Sequence, residues 1–308
     1  MDLIRYKNLC FGCLKSINSE TNHYCSACRK SIFGNSRLQH CLEFDKQVLS
    51  GETEQAPLAL HRGRLLYQRT GDYLLETVPE ITGIRYVEDI PANKHLMACI
   101  AKQIFGLETE SPAIVFFPDG EQALVRPRFQ ISGSRRPQRK NFLELLKPGQ
   151  EGDYQSMAKS IIQRLPARTV ELENFYAQVL FHYMIGNTKA DARAFSIHKR
   201  PSGDFGLSPL NTLYAGAIHH HQGTPIALPL FEGGYMREGS RGADTLARED
   251  FILFARFIGV NEANANELIE GYGKEIHRVF DLTERSLMSD AAKKLFKKHY
   301  FDRVKSLK

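Results

Sequence analysis

Two Cys-x2-Cys pairs near the start of the chain constrain its folding more than any other feature. Cys10 and Cys13 form the first pair, and Cys25 and Cys28 the second. Each tight turn lets two thiolates converge on one ion. Four thiolates close a tetrahedral shell around zinc, leaving no position for water or substrate, so the site reads as structural. A redox-active Cys-x2-Cys comes as a single pair beside a βαβ pattern, which is not the arrangement here. The spacer is long enough for a small hairpin, with polar turn residues from Asn18 to Asn22. An element of this size cannot bury a core of its own, so metal binding is expected to supply most of its folding free energy. Tyr24, Ile32 and Phe33 are expected to pack it onto the body. Cys41 and Cys99 stand alone and read as small core residues.

The rest of the 308-residue chain is ordinary globular sequence, 42% hydrophobic and 25% charged, long enough for one bilobal domain or two smaller ones. No apolar run approaches ~18 residues, which argues against a membrane-spanning helix and a membrane partner. Met1 to Asn8 lack a signal-peptide core. A cytoplasmic protein is the expectation. The net charge of +6 is gathered in two places. One is Arg135, Arg136, Arg139 and Lys140; the other is Lys293, Lys294, Lys297, Lys298, Arg303, Lys305 and Lys308. These read as solvated faces, with an acidic partner or nucleic acid as the alternative occupant.

The hydrophobic pattern divides the chain into three. Residues 1–36 form the zinc knuckle. Residues 37–133 read as a β-rich lobe: a short helix over Leu38 to Leu49, strands at Leu58 to Leu60, Leu65 to Tyr67 and Tyr73 to Thr77, a helix from Asn93 to Gly106, and strands at Ala113 to Phe117 and Gln122 to Val125. Residues 134–308 read as helical after an exposed basic loop, with helices at Asn141 to Leu146, Tyr154 to Leu165, Val170 to Ile185, Ala247 to Ile258, Ala263 to Tyr272, Gly273 to Thr283 and Asp290 to Val304. The third is strongly apolar and is expected to be buried. The fold class is therefore α+β, with the outline of a bilobal protein-kinase-like fold.

Four motifs stand out: Glu173-Asn174-Phe175, the stretch Phe181 to Thr188 with Gly186-Asn187-Thr188, Phe195-Ser196-Ile197, and Leu207-Ser208-Pro209. Together they resemble the HipA family of bacterial serine/threonine kinases, toxins of toxin–antitoxin systems. Tyr24-Cys25-Ser26-Ala27-Cys28 and Phe33-Gly34 resemble the opening of a split, zinc-knuckle subgroup, with Cys25 replacing a histidine. The resemblance implies a HipA-like fold. It also implies a separate small partner equivalent to the family's N-terminal subdomain, and a helix-turn-helix antitoxin.

The positions that carry phosphoryl transfer in that family are replaced. By the resemblance, the catalytic-base aspartate falls on Lys189, the motif histidine on Asp191, its lysine on Arg193 and the metal-binding asparagine on Ala194. After Leu207-Ser208-Pro209, either Thr212 stands for the metal-binding aspartate or about four residues of the family pattern are deleted. The phosphate-binding lysine of the β-lobe falls on Glu76, and the acidic start of the following helix, Pro91-Ala92-Asn93-Lys94, has become basic. Only Thr53 and Pro57 match the family's phosphate loop. Phosphoryl transfer needs a cation on the phosphates, oxygen ligands on magnesium and a proton acceptor. Lys189 as an ammonium accepts no proton, Ala194 has no side-chain oxygen, and Thr212 substitutes poorly for a carboxylate. ATP and magnesium are therefore expected to bind weakly or not at all. The leading expectation is a pseudokinase that acts by binding protein. The alternatives are a divergent active kinase using Asp191, with Asp204 near the metal strand, and a nucleic-acid-binding zinc protein. Lys189 and Arg193 are candidate anion ligands. His219, His220 and His221 read as a polar loop rather than a metal site.

Overall fold

The second cysteine pair opens a helix. Cys25 is the N-cap of α1 (Ser26–Phe33), its Sγ accepting the Cys28 amide at 3.5 Å, and Gly34 at φ +56° ends it. The computed structural model describes residues 6, 8–18, 23–34, 36, 38, 40–49, 55–128, 139–146, 152–220, 226–237 and 245–308. Thr53, Arg135, Arg136 and His221, and most of the proposed Asn18–Asn22 turn, lie outside them.

An antiparallel sheet follows, from β1 (Ala56–His61), β2 (Arg64–Tyr67) and β3 (Tyr73–Glu76). The β1–β2 turn is Arg62-Gly63, both with positive φ, the pairing that suits strand twist in a two-residue hairpin. Helix α2 (Ile90–Gln103) carries Pro91 in its first turn and packs across the sheet. Strands β4 (Ala113–Phe116) and β5 (Gln122–Pro127) complete the order β2-β1-β3-β5-β4.

The expected helix over Leu38 to Leu49 is not formed. Only Lys46–Leu49 makes a 3-10 turn. Upstream, the backbone is spent on the open edge of β4: Phe116 N donates to His40 O at 2.8 Å, and Leu42 N to Phe116 O at 2.7 Å. An exposed edge strand offers unpaired backbone groups, and satisfying them outweighs the weak helical pattern. Cys41 sits on this edge and is exposed, against the expectation of a core residue, whereas Cys99 is buried. The knuckle covers the same edge, with Ile114 N donating to Phe11 O at 2.9 Å and Tyr24 Oη to Ile114 O at 2.6 Å. Tyr73 Oη donates to Ile32 O at 3.1 Å. Leu9, Phe11, Leu14, Tyr24, Ile32 and Phe33 are buried in a core continuous with the sheet.

Beyond it lie β6 (Arg139–Asn141), α3 (Phe142–Leu145), α4 (Tyr154–Arg164) and α5 (Arg168–Ile185). The last is the buried central helix, as its pattern requires, and Gly186 at φ +69° caps it. Strands β7 (Ser196–Lys199) and β8 (Phe205–Leu207) join β6 in a three-stranded antiparallel sheet. These strands of three or four residues are too short to register as alternation. Helices α6 (Arg248–Ile258), α7 (Glu262–Lys274), α8 (Ile276–Arg285) and α9 (Asp290–Ser306) pack around α5 and one another. Among the described residues, no helix is long and apolar enough to cross a membrane.

The C-terminal basic cluster is not one face. Lys293 is buried, its Nζ donating to Glu284 O at 2.9 Å, and Arg303 is buried with its guanidinium over the Tyr183 ring. Lys297 pairs with Glu284. Lys294, Lys298, Lys305 and Lys308 remain exposed.

The two lobes are joined by a buried polar clasp. Asn93 on α2 accepts the Ala215 amide at 2.9 Å and donates to Ala215 O at 3.2 Å. His219 Nε2 lies 2.7 Å from Asn93 Nδ2, and its Nδ1 lies 2.8 Å from Arg85 O. These partners assign the neutral tautomer with the proton on Nδ1. His219 is thus fully buried and stacked on Tyr214 rather than part of a polar loop. Burial lowers its pKa to about 4, and that of His182 to about 3. Unfolded histidine titrates near ~6.5, so the unfolded chain binds these protons first as pH falls. Stability is therefore expected to decline from about pH 6.5 downward. Thermal denaturation should give a lower Tm at pH 5 than at pH 7.5, with a shallower decline in His219→Gln. An unchanged Tm across that range would contradict the assignment.

Candidate functional site

A cleft of about 480 Å³ lies between the lobes, lined by residues of both. Its floor on the β side is a chain of alternating charges. Glu76, the last residue of β3, is buried, and its carboxylate takes Lys94 Nζ from the first turns of α2 at 2.5 Å. The other oxygen takes Arg126 Nε at 3.0 Å and Gln55 Nε2 at 3.1 Å. The strand register makes the Arg126 contact possible. Leu74 pairs with Arg126 and Glu76 with Leu124, so Glu76 and Arg126 are diagonal neighbours on one face. Arg126 Nη1 continues to Glu110 at 2.5 Å. Arg139 Nη1 lies 3.7 Å from the same carboxylate, while its Nε donates to Ser196 Oγ at 2.7 Å. The chain of charges therefore runs from the helix of one lobe to the small sheet of the other.

Burial by itself would raise the pKa of Glu76, but Lys94 and Arg126 outweigh it and hold the carboxyl below its ordinary range. Glu76 is thus ionised and neutralised. Against the positions that the resemblance implies, a lysine on this strand and an acidic residue at this helix start, the Glu76–Lys94 pair has the opposite polarity.

The opposite wall is the loop after α5. Gly186 turns it, since a Cβ there would come within 2.9 Å of Ala217. Asn187 then clamps it: Nδ2 donates to Thr212 O at 2.5 Å, and Oδ1 accepts the Lys189 amide at 2.9 Å. Lys189, Arg193 and Thr212 line the cleft with Glu76. Lys189 Nζ sits 5.3 Å from the centre of the Tyr214 ring. Thr212 Oγ1 donates to Asn211 Oδ1. Three candidates are not part of the lining. Ala194 is buried, and the Asp191 carboxylate is taken by Arg193, whose Nη2 lies 2.5 Å away. Asp204 is held by Ser202 and Arg200 in the β7–β8 turn, outside the cleft. Arg126 and Glu110 escaped the sequence reading, and Arg139 entered it only as part of a basic cluster. Arg126 had one visible signal, a charge directly after the apolar run Ala123 to Val125.

The cysteines form a second centre. Their four Sγ atoms lie within 4.8 Å of one another, and Cys13 Sγ is 3.8 Å from Cys25 Sγ. That separation is the edge of a tetrahedron with bonds of about 2.3 Å. No disulfide joins them. The Cys25 amide donates to Cys10 Sγ at 3.2 Å. Gly12 is required in the turn, because a Cβ there would lie 2.8 Å from Cys28 Sγ. The set fits a thiophilic divalent ion such as zinc. The turn is also tied to α2, with His95 Nε2 3.2 Å from Gly12 O and Gln103 Nε2 donating to Cys13 O at 2.9 Å.

A lobed α+β fold with this cleft can be compared with known proteins. The HipA-like C-terminal domain family matches residues 58–280. The chain belongs to this family. Its fold is similar to that of HipA from Shewanella oneidensis MR-1, solved with HipB and its operator DNA. The TM-score is 0.61 at 13% identity, over 86% of this chain and 67% of that one. It is also similar to the Helicobacter pylori proinflammatory kinase CtkA, with a TM-score of 0.55 at 10% identity, over 81% of this chain and 93% of that one. No curated protein sequence gives a significant match. The HipA-like assignment makes the expected α+β, kinase-like architecture a finding.

The reversed pair makes a direct prediction. Removing one partner of a buried ion pair costs about 3–5 kcal/mol. Glu76→Lys should therefore destabilise the protein by roughly that amount, because Lys94 and Arg126 would face a third cation. Adding Lys94→Glu should recover half or more of the loss in urea denaturation. If the double variant were as unstable as the single, the two side chains would not be acting as a pair.

Proposed function

We propose that this HipA-like chain is a pseudokinase of the split, zinc-knuckle subgroup, and that it acts by binding protein in a toxin–antitoxin-type system. The observation that carries the reading is the reversed Glu76–Lys94 pair. A buried carboxylate occupies the place where phosphoryl transfer needs a phosphate-binding cation, and both its oxygens are already engaged. The other groups point the same way. Glu110 is held by arginine, and Glu144 accepts the Asn141 amide in a helix cap. Among the described residues that leaves Glu144 as the one lining carboxylate without a cationic partner, and one carboxylate makes a poor magnesium site. Lys189 stands where a proton acceptor is needed, and Asp191 is turned to Arg193. The partners proposed are a small protein equivalent to the family's N-terminal subdomain and a helix-turn-helix antitoxin, the latter by analogy with the HipA–HipB complex. The proposed units are residues 1–36, 37–133 and 134–308.

Purified protein incubated with radiolabelled ATP and magnesium should transfer no phosphate to itself or to a co-expressed partner. Magnesium-dependent labelling that disappears in Asp191→Asn would replace this reading with that of an active kinase.

We also propose that the four cysteines hold one structural zinc. Metal analysis should find about one zinc per chain. Stripping it should speed hydrogen exchange at the Ile114 amide, which bonds Phe11 O in the knuckle. Gly12→Ala should act in the same direction, because its Cβ would press on a ligand sulfur. A metal-free protein with full protection at Ile114 would show that the cysteines need no ion.

A further inference from the structure

We infer that the cleft binds a phosphate group presented without magnesium, as a phosphate monoester or diphosphate. The inference rests on the pseudokinase reading of the same cleft and gives it a ligand. Five cations line the space, Lys94, Arg126, Arg139, Lys189 and Arg193, against three carboxylates, Glu76, Glu110 and Glu144. Glu76 and Glu110 are consumed within the wall, and Arg193 is offset by Asp191 just outside it. The surplus cationic charge is therefore presented to whatever enters. Lys189 contributes most directly. Among the described residues its ammonium meets the Tyr214 ring and no carboxylate. Ser196 Oγ accepts from Arg139 and keeps its own proton to donate.

The same wall disfavours magnesium. Ala194 offers no oxygen, and the Thr212 hydroxyl donates to Asn211. Glu76 and Glu110 are paired with cations, and among the described residues Glu144 alone of the lining carboxylates lacks one. A chelated phosphate arrives with its charge already reduced and with a dication that Lys94, Arg126 and Lys189 repel. An unchelated one keeps its full charge for them. Magnesium is thus a competitor of this protein for the phosphate, which is the reverse of its role in a kinase.

The test is isothermal titration with pyrophosphate, O-phosphoserine and ATP, in magnesium-free buffer and again with excess magnesium. Binding of at least one of the three is expected without magnesium, weakened when magnesium is added. Preference for phosphoserine would identify a modified protein residue as the source, and preference for pyrophosphate or ATP a free metabolite. Lys189→Gln should weaken binding roughly fivefold, the worth of one charge at close range in a wet site. Glu76→Gln should strengthen it, and Lys298→Gln with Lys305→Gln, exposed on α9, should leave it unchanged. A loss in the α9 variant equal to that in Lys189→Gln would reduce the effect to general surface charge and overturn the inference. Absence of binding by all three probes would overturn it too, while leaving the pseudokinase reading intact. Binding strengthened by magnesium, together with phosphate transfer, would overturn both.

Discussion

The contact between Glu76 and Lys94 sets how α2 lies on the sheet. A carboxylate this deep in the fold is tolerated only because an ammonium and a guanidinium stand on it. The ammonium comes from the first turns of α2 and the guanidinium from the neighbouring strand. Rolling the helix, or slipping β5 by one residue, would leave an uncompensated charge in the interior. The pair therefore acts as a register pin, a role that does not depend on which partner is negative. Either polarity would hold the helix in place, while the charge offered to the cleft would differ.

Helix α2 is the member on which the other contacts converge. Before its first turn, Asp89 accepts the Ser289 amide and hydroxyl at 2.7 and 2.5 Å, at the start of α9. Asn93 meets Ala215 and His219 in the opposite lobe, Lys94 meets the sheet, and His95 and Gln103 hold the carbonyls of the first cysteine turn. The four-cysteine cluster thus touches the cleft through one rigid helix. Asp89, Asn93, His95 and Gln103 fasten α2 from outside the cleft lining, whereas Lys94 both holds the helix and faces the cleft.

Local features of the chain were legible where one short stretch carries the whole signal. The cysteine pairs, the strands from Ala56 to Glu76, the long apolar α5 and the Gly186-Asn187 loop all satisfy themselves within a few residues or along one face. The errors share a cause. Leu38 to Leu49 carries a faint helical pattern, but the open edge of β4 claims its backbone. Lys293 and Arg303 look like surface charges in a basic tail, yet one caps a helix end and the other lies on a tyrosine ring. His219 looks like a loop histidine and is a buried clasp.

By itself the sequence determined the four-cysteine cluster, the α+β class and the family, because each depends on residue type at a fixed spacing. Only the tertiary structure decided which side chains meet in the cleft. Glu76 and Lys94 are eighteen positions apart, and Glu76 and Arg126 fifty. Their meeting is set by strand register and helix packing, which no local pattern encodes. The structure likewise turned Asp191 toward Arg193 and brought Lys189 to the cleft, since a loop's direction follows from the buried amide of Asn187 that clamps it to Thr212.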